Sequence, residues 1–228
     1  MKTLKLLAVL LSYPAQDMVA ALPEIAQRLN AEPALRSATQ DALAGLLAEL
    51  RREDLLDSQE RYVAQFDAGR ATSLHLFEHV HGDSRDRGQA MVDLNALYRK
   101  SGFVLAVHEL PDYLPALLEY LASRPAEEVH ELLEDCVHIL RAVGERLVAG
   151  GSPYAAIFAA LLDLHGAAPL AATKHAGKKV HAPSLDEEWD EAPVEFGPPA
   201  GLNAAAAHGA HGAQQSRPQF IRFVPKNT

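Results

Sequence analysis

The single cysteine of this 228-residue chain, Cys136, has no internal partner. An internal disulfide and a cage of thiolates around a metal are both excluded, and the usage fits a reducing compartment. Aromatic residues make up only 6% of the sequence, and runs of β-branched residues are scarce. No segment sustains a two-residue alternation of apolar and polar side chains, so there is little from which to build a sheet. No glycine-rich phosphate cradle occurs, which argues against direct nucleotide binding. Nothing approaches the roughly 20 apolar residues of a membrane-spanning helix. The lysine-flanked run from Leu6 to Leu11 resembles a signal peptide. It falls short of the roughly 7–15 residues such a core needs, and Ser12-Tyr13-Pro14 follows it instead of a small-residue cleavage site. A short buried first helix is the expectation.

Most of the 48% hydrophobic content is leucine and alanine, which lose little on entering a helix. The formal charge of −9 is unevenly placed: residues 170–228 carry six basic and six acidic side chains, so the first 169 residues hold all of it. An acidic body repels a phosphate backbone and suits a basic peptide, so no nucleic-acid partner is expected.

Helical spacing recurs along the first three quarters. Leu35, Ala38, Ala42, Leu46 and Leu50 form one stripe, widened by Leu43 and Leu47. Leu55, Leu56, Gln59, Tyr62, Val63 and Phe66 form another, and Leu94, Leu97 and Tyr98 mark a helix ending near Gly102. Tyr113, Leu114, Leu117, Leu118 and Leu121 mark the next. From Pro125, suited to a first helical position, Val129 through Leu147 recur at intervals of three and four until Gly150-Gly151. A last helix is expected from Pro153 to Gly166. These patterns predict an all-α fold, a single compact helical bundle over residues 1–168. Residues 169–228 are rich in Pro, Gly, Ala and His and read as a mostly disordered tail. Two islands interrupt it, an acidic one around Trp189 and an apolar one at Phe220–Val224.

Polar and aromatic residues crowd between Tyr62 and Met91. Within that stretch His75-Leu76-Phe77-Glu78-His79 matches the pattern of inverted zinc proteases, in which two histidines one helical turn apart hold the metal and Glu78 acts as general base. A third ligand is not identified, and a zinc-dependent hydrolase stands as the alternative to the reading below. Glu109-Leu110-Pro111-Asp112 comes next, where Asp112 is expected to cap a helix beginning at Tyr113. Cys136 lies on the apolar stripe of its helix and is read as packing.

The run from Ser73 to Gly82 followed by Ser84-Arg85-Asp86-Arg87-Gly88-Gln89-Ala90-Met91 resembles the nitrate reductase molybdenum cofactor assembly chaperones of the NarJ/NarW type. Glu-Leu-Pro-Asp at 109–112 resembles the E-x-P-D signature of the wider all-helical family of redox-enzyme maturation chaperones, and Leu10-Leu11-Ser12-Tyr13-Pro14 its first-helix ending. The likeness covers most of residues 1–168. It implies a cytoplasmic binding protein, not an enzyme, with no cofactor or metal of its own and no stable membrane association. It implies as partner the apo catalytic (alpha) subunit of respiratory nitrate reductase, held by its N-terminal segment until the molybdenum cofactor is inserted and membrane docking follows. A peptide with one apolar helical face and basic residues would lie in a groove between helices. Tyr62, Phe66, Phe77, Tyr113 and Leu117 are the candidate apolar lining, and Glu78, Glu109 and Asp112 the candidate carboxylates. His75, His79, Arg85 and Arg87 are candidates for contact with the client or its cofactor pocket.

Overall fold

Leucine spacing decides where the helices lie, and proline and glycine decide where they stop. The computed structural model describes residues 1–81, 85–106 and 109–171, with the side chains of residues 81 and 85 outside that description. In chain order the helices are α1 (Lys2–Leu11), α2 (Gln16–Asn30), α3 (Ser37–Arg52), α4 (Leu55–Phe66), α5 (Glu78–His81), α6 (Arg85–Lys100), α7 (Leu114–Ala122), α8 (Ala126–Ala149) and α9 (Ala155–His165), with a 3₁₀ turn at Arg70–Thr72. Among the described residues there is no strand; the one extended pairing is an isolated antiparallel bridge between His75 and Tyr113.

The run that resembles a signal peptide is a core helix. Leu4, Leu7, Leu10 and Leu11 are fully or almost fully buried, because α1 packs on α7 and also touches α2 and α9. Pro14 stops it by disfavouring helix at the residue before. The other main pairings are α8 with α9, α2 with α3, and α3 with α9. The end of α9 is tied to the start of α3. Asp163, on α9, accepts from the Arg36 backbone N–H at 2.9 Å and from its guanidinium at 2.6 Å. Gly166 ends α9 in the left-handed conformation at φ 83°, which glycine adopts without strain. The tail from residue 172 onward, with the Trp189 and Phe220–Val224 islands, lies outside the described residues.

Several details differ from the sequence reading. The buried face of α3 runs through Thr39, Leu43, Leu46, Leu47 and Leu50, while Ala38 and Ala42 are exposed. Alanine is so short that it does not mark the core side of a helix; the leucines do. On α4 the buried face is Ser58, Tyr62 and Phe66, and Leu56 and Val63 stand 62% and 43% exposed. Pro125 is the residue before α8 and not its first helical residue. Asp112 does not cap α7, which starts after Tyr113.

Two glycines test the packing in opposite senses. A Cβ added at Gly144, on the α8 face against α9, would lie 3.0 Å from the Phe158 Cβ and 2.8 Å from a Leu170 methyl. Gly144→Leu is expected to lower unfolding stability by about 2–3 kcal/mol in urea titration, because overpacking forces the helices apart. Gly45, within α3, has nothing within 4 Å of such a Cβ. Gly45→Ala is expected to raise stability by about 0.5–1 kcal/mol through helix propensity alone.

Candidate functional site

Asp112 has no exposed surface, and its surroundings explain why an acidic side chain can be there. One carboxylate oxygen accepts from the Phe77 backbone N–H at 3.1 Å, and the other lies 3.3 Å from His75 Nδ1. The Arg87 guanidinium stands 3.9 Å away and bonds Glu78 at 3.2 Å. The backbone joins the same two segments: Leu76 N–H donates to the Asp112 carbonyl at 3.0 Å, and Leu114 N–H to the Leu74 carbonyl at 2.9 Å. Residues 74–77 are thus bound to the entry of α7 by both main chain and side chain. A shared hydrogen bond with Asp112 holds the His75 imidazolium above its ordinary pKa against the opposing effect of burial. His79 goes the other way, lowered chiefly by desolvation.

Beside this junction the aromatic side chains form a connected series. Tyr62 donates its hydroxyl to the Leu11 carbonyl at 2.8 Å, and its oxygen lies 2.9 Å from that of Tyr113. Burial pushes both phenols above their ordinary pKa, so they stay neutral donors. Phe66 packs 5.0 Å from the Tyr62 ring and 5.1 Å from the Tyr154 ring. His75 lies over Tyr113 at 5.4 Å, and Tyr13 meets Tyr62 edge-on at 5.6 Å.

The structure brings most of the expected residues into one region but at different depths. Tyr62, Phe66, Phe77 and Leu117 are buried core residues, so they are the floor of the region and not its open lining. Asp112 has no surface from which to reach a basic ligand, and Glu78 is paired with Arg87, which leaves Glu109 as the exposed carboxylate of the three. The accessible shelf is formed by Tyr13, half-buried Tyr113 and His75, and exposed Leu110. On α4, exposed Leu56 and Val63 extend it, separated by Gln59, which donates to the Pro14 carbonyl at 2.8 Å. Sequence reasoning missed Tyr13 as a surface residue; the signal was an aromatic residue placed between a helix end and a proline. It also missed Ser73, whose carbonyl takes the His79 Nε2–H at 2.8 Å. The Arg85 side chain lies outside the described residues.

The zinc-protease pattern fails on geometry. His75 precedes α5 and pairs with Tyr113, so it and His79 are not on one helix. Each ring is committed elsewhere, His75 to Asp112 and His79 to the Ser73 carbonyl. Burial pushes the Cys136 thiol up to about 12, too high for a nucleophile at neutral pH.

Comparison with known proteins gives a consistent outcome. The family model described as nitrate reductase delta subunit matches residues 32–160, a span that takes in the floor residues from Tyr62 to Leu117. The chain is 41% identical over 223 residues to the nitrate reductase molybdenum cofactor assembly chaperone NarJ of Escherichia coli (strain K12), covering 94% of each protein. It is 40% identical over 205 residues to the probable nitrate reductase molybdenum cofactor assembly chaperone NarW of that strain, 86% of this chain and 84% of the relative. With the probable NarJ chaperone of Bacillus subtilis (strain 168) the identity is 32% over 167 residues, 70% and 86% of the two chains.

The opposed shifts of the two histidines give a titration test. Histidine-resolved NMR should show His75 protonating above and His79 below the ordinary imidazole pKa. The stability due to His75 is fully present below that ordinary value and is lost as pH rises through its raised folded pKa. That due to His79 is present above the ordinary value and is lost as pH falls through its lowered one. Asp112→Asn should shift the His75 midpoint downward, leave His79 nearly in place, and cost about 1–3 kcal/mol of stability.

Proposed function

This chain belongs to the nitrate reductase delta subunit family, and from that premise we propose that it is a client-specific assembly chaperone. Its client is the apo catalytic (alpha) subunit of a respiratory nitrate reductase, bound through the N-terminal segment in the cytoplasm. Binding keeps that subunit competent for molybdenum cofactor insertion and delays its docking at the membrane. Likeness to named assembly chaperones over nearly the full length of both proteins supports the role. The part of the structure that carries the site is the aromatic shelf at the junction of α1, α4 and α7, where the apolar stripe of α4 is wider than the face it buries.

The mechanism is binding and release, without a chemical step on the client. An amphipathic client helix lays its apolar face over Tyr13, Tyr113, Leu110 and the Leu56–Val63 edge of α4. Tyr62, Phe66, Phe77 and Leu117 support that shelf from beneath, and Tyr13 is the ring that covers Tyr62 on the outer side. Glu109, set in an acidic body, meets basic side chains of the client and favours encounter and orientation more than final affinity. Asp112, His75 and Arg87 hold the shelf in shape. Among the described residues no helix is long and apolar enough to cross a membrane.

Calorimetric titration with the catalytic subunit's N-terminal peptide tests the site. Tyr13→Ala and Leu110→Ala are each expected to weaken binding roughly 10-fold, about 1.4 kcal/mol. Glu109→Gln should mainly slow association and flatten its salt dependence. Unchanged affinity in the Tyr13→Ala, Leu110→Ala double variant would move the binding surface elsewhere. In a nitrate-respiring host, a pull-down with the chain should recover the apo catalytic subunit; recovery of only the cofactor-loaded form would defeat the chaperone reading.

A further inference from the structure

Away from the shelf, α8 and the end of α9 bring together three side chains that the proposed function does not use. His130 and Glu134 are one turn apart on α8 and share a face, as residues four apart must. His165 is the last residue of α9. One potential metal-binding atom from each of the three lies within 4.8 Å of the others. His165 Nε2 is 2.5 Å from a Glu134 carboxylate oxygen, and the His130 and His165 rings stack with centroids 4.5 Å apart and an 18° tilt. The His165 side chain is only 7% exposed, and its Nδ1 is buried with no hydrogen-bond partner among the described residues. Packing and this cluster therefore fix the ring's orientation, with no competing bond at Nδ1.

We propose that His130, Glu134 and His165 form a binding site for a divalent transition-metal ion of the zinc class. Two imidazoles and one carboxylate are a donor set suited to zinc, with water in the remaining position. His165 is the preset ligand. Glu134 is 65% exposed and His130 lies on the surface, so both can swing the short distance that coordination requires. At zinc bond lengths of about 2.0–2.2 Å the donors sit roughly 3.3 Å apart, so the Glu134–His165 contact opens while the His130 nitrogen closes in. The surroundings favour a cation. Glu127, Glu128, Glu131 and Asp135 lie on the same half of α8. The carbonyl end of α9 adds its own negative potential. The bound ion would clip the last residue of α9 to the first half of α8.

The test is zinc chloride titration of the tag-free full chain by calorimetry and by competition with a chromophoric chelator, with thermal melts in parallel. One equivalent is expected to bind and to raise Tm. His130→Ala and Glu134→Gln are at exposed positions, so both variants should fold as the wild type does. Each is expected to weaken zinc by at least about 10-fold, a loss that changes one layer outside a ligand set already cause, and to abolish the Tm rise. Changing His175, His181, His208 and His211 together to alanine controls for the histidines of the tail and should leave the equivalent in place. The site is refuted if the His130→Ala, Glu134→Gln double variant keeps wild-type affinity, or if the wild type binds no zinc at micromolar concentrations. Neither result bears on client binding, which rests on other residues.

Discussion

A carboxylate with no access to water is the most demanding group in this bundle, and the chain around it is arranged to meet it. An ionised side chain removed from solvent persists only where several donors converge on it. Asp112 receives the Phe77 N–H and the His75 imidazole, with the Arg87 guanidinium close by. These come from an extended segment and from α6, stretches that are otherwise free to take many paths. The two backbone bonds that pair Leu74 and Leu76 with the entry of α7 complete the attachment. A helix cap would have used Asp112 for one local N–H. Its actual use fixes the register of a loop against a helix 35 residues away in sequence.

The aromatic series inherits its geometry from that anchor. His75, fixed by Asp112, lies over Tyr113; Tyr113 meets the Tyr62 hydroxyl; Tyr62 ends on the last carbonyl of α1. Each tyrosine is held at its polar tip and by its ring, so rotamers are chosen before any ligand arrives. A surface ordered in advance loses less entropy on binding, which would favour the short client segment proposed above. Depth also differs along the series: Tyr62, Phe66 and Asp112 are buried, His75 and Tyr113 are half-buried, and Tyr13 is exposed.

Helix positions were largely legible because leucine and valine at intervals of three and four leave few alternatives, as in α8 from Val129 to Leu147. The phase of a helix was less legible wherever small or polar residues share the stripe. Thr39 is buried on α3 and Ala42 is not, since the identity of so small a side chain does not reveal which way it faces. That Tyr62, Phe77, Asp112 and Tyr113 lie close together was legible, and the structure does bring them into one region. Their depth was not, because burial depends on how α1, α4 and α7 pack and not on any one segment. The same limit hid the His130, Glu134 and His165 cluster. Its first two members stand a helical turn apart, but the third arrives through the α8–α9 pairing.

The α4 stripe shows how a gap between pattern and burial can carry meaning. Leu55, Leu56, Gln59, Tyr62, Val63 and Phe66 form one broad apolar arc, broader than the core contact that Ser58, Tyr62 and Phe66 provide. Leu56 and Val63, seven residues apart and so on one side, continue the arc into solvent. Left exposed, apolar surface invites unwanted association, which keeps such patches small on proteins that have no use for them. Here the strip is narrow and belongs to a chain of net charge −9, which suits the basic, amphipathic segment proposed to lie on it. The excess width of the α4 stripe is the sequence feature that supports the proposed docking of a second, temporary neighbour on this helix.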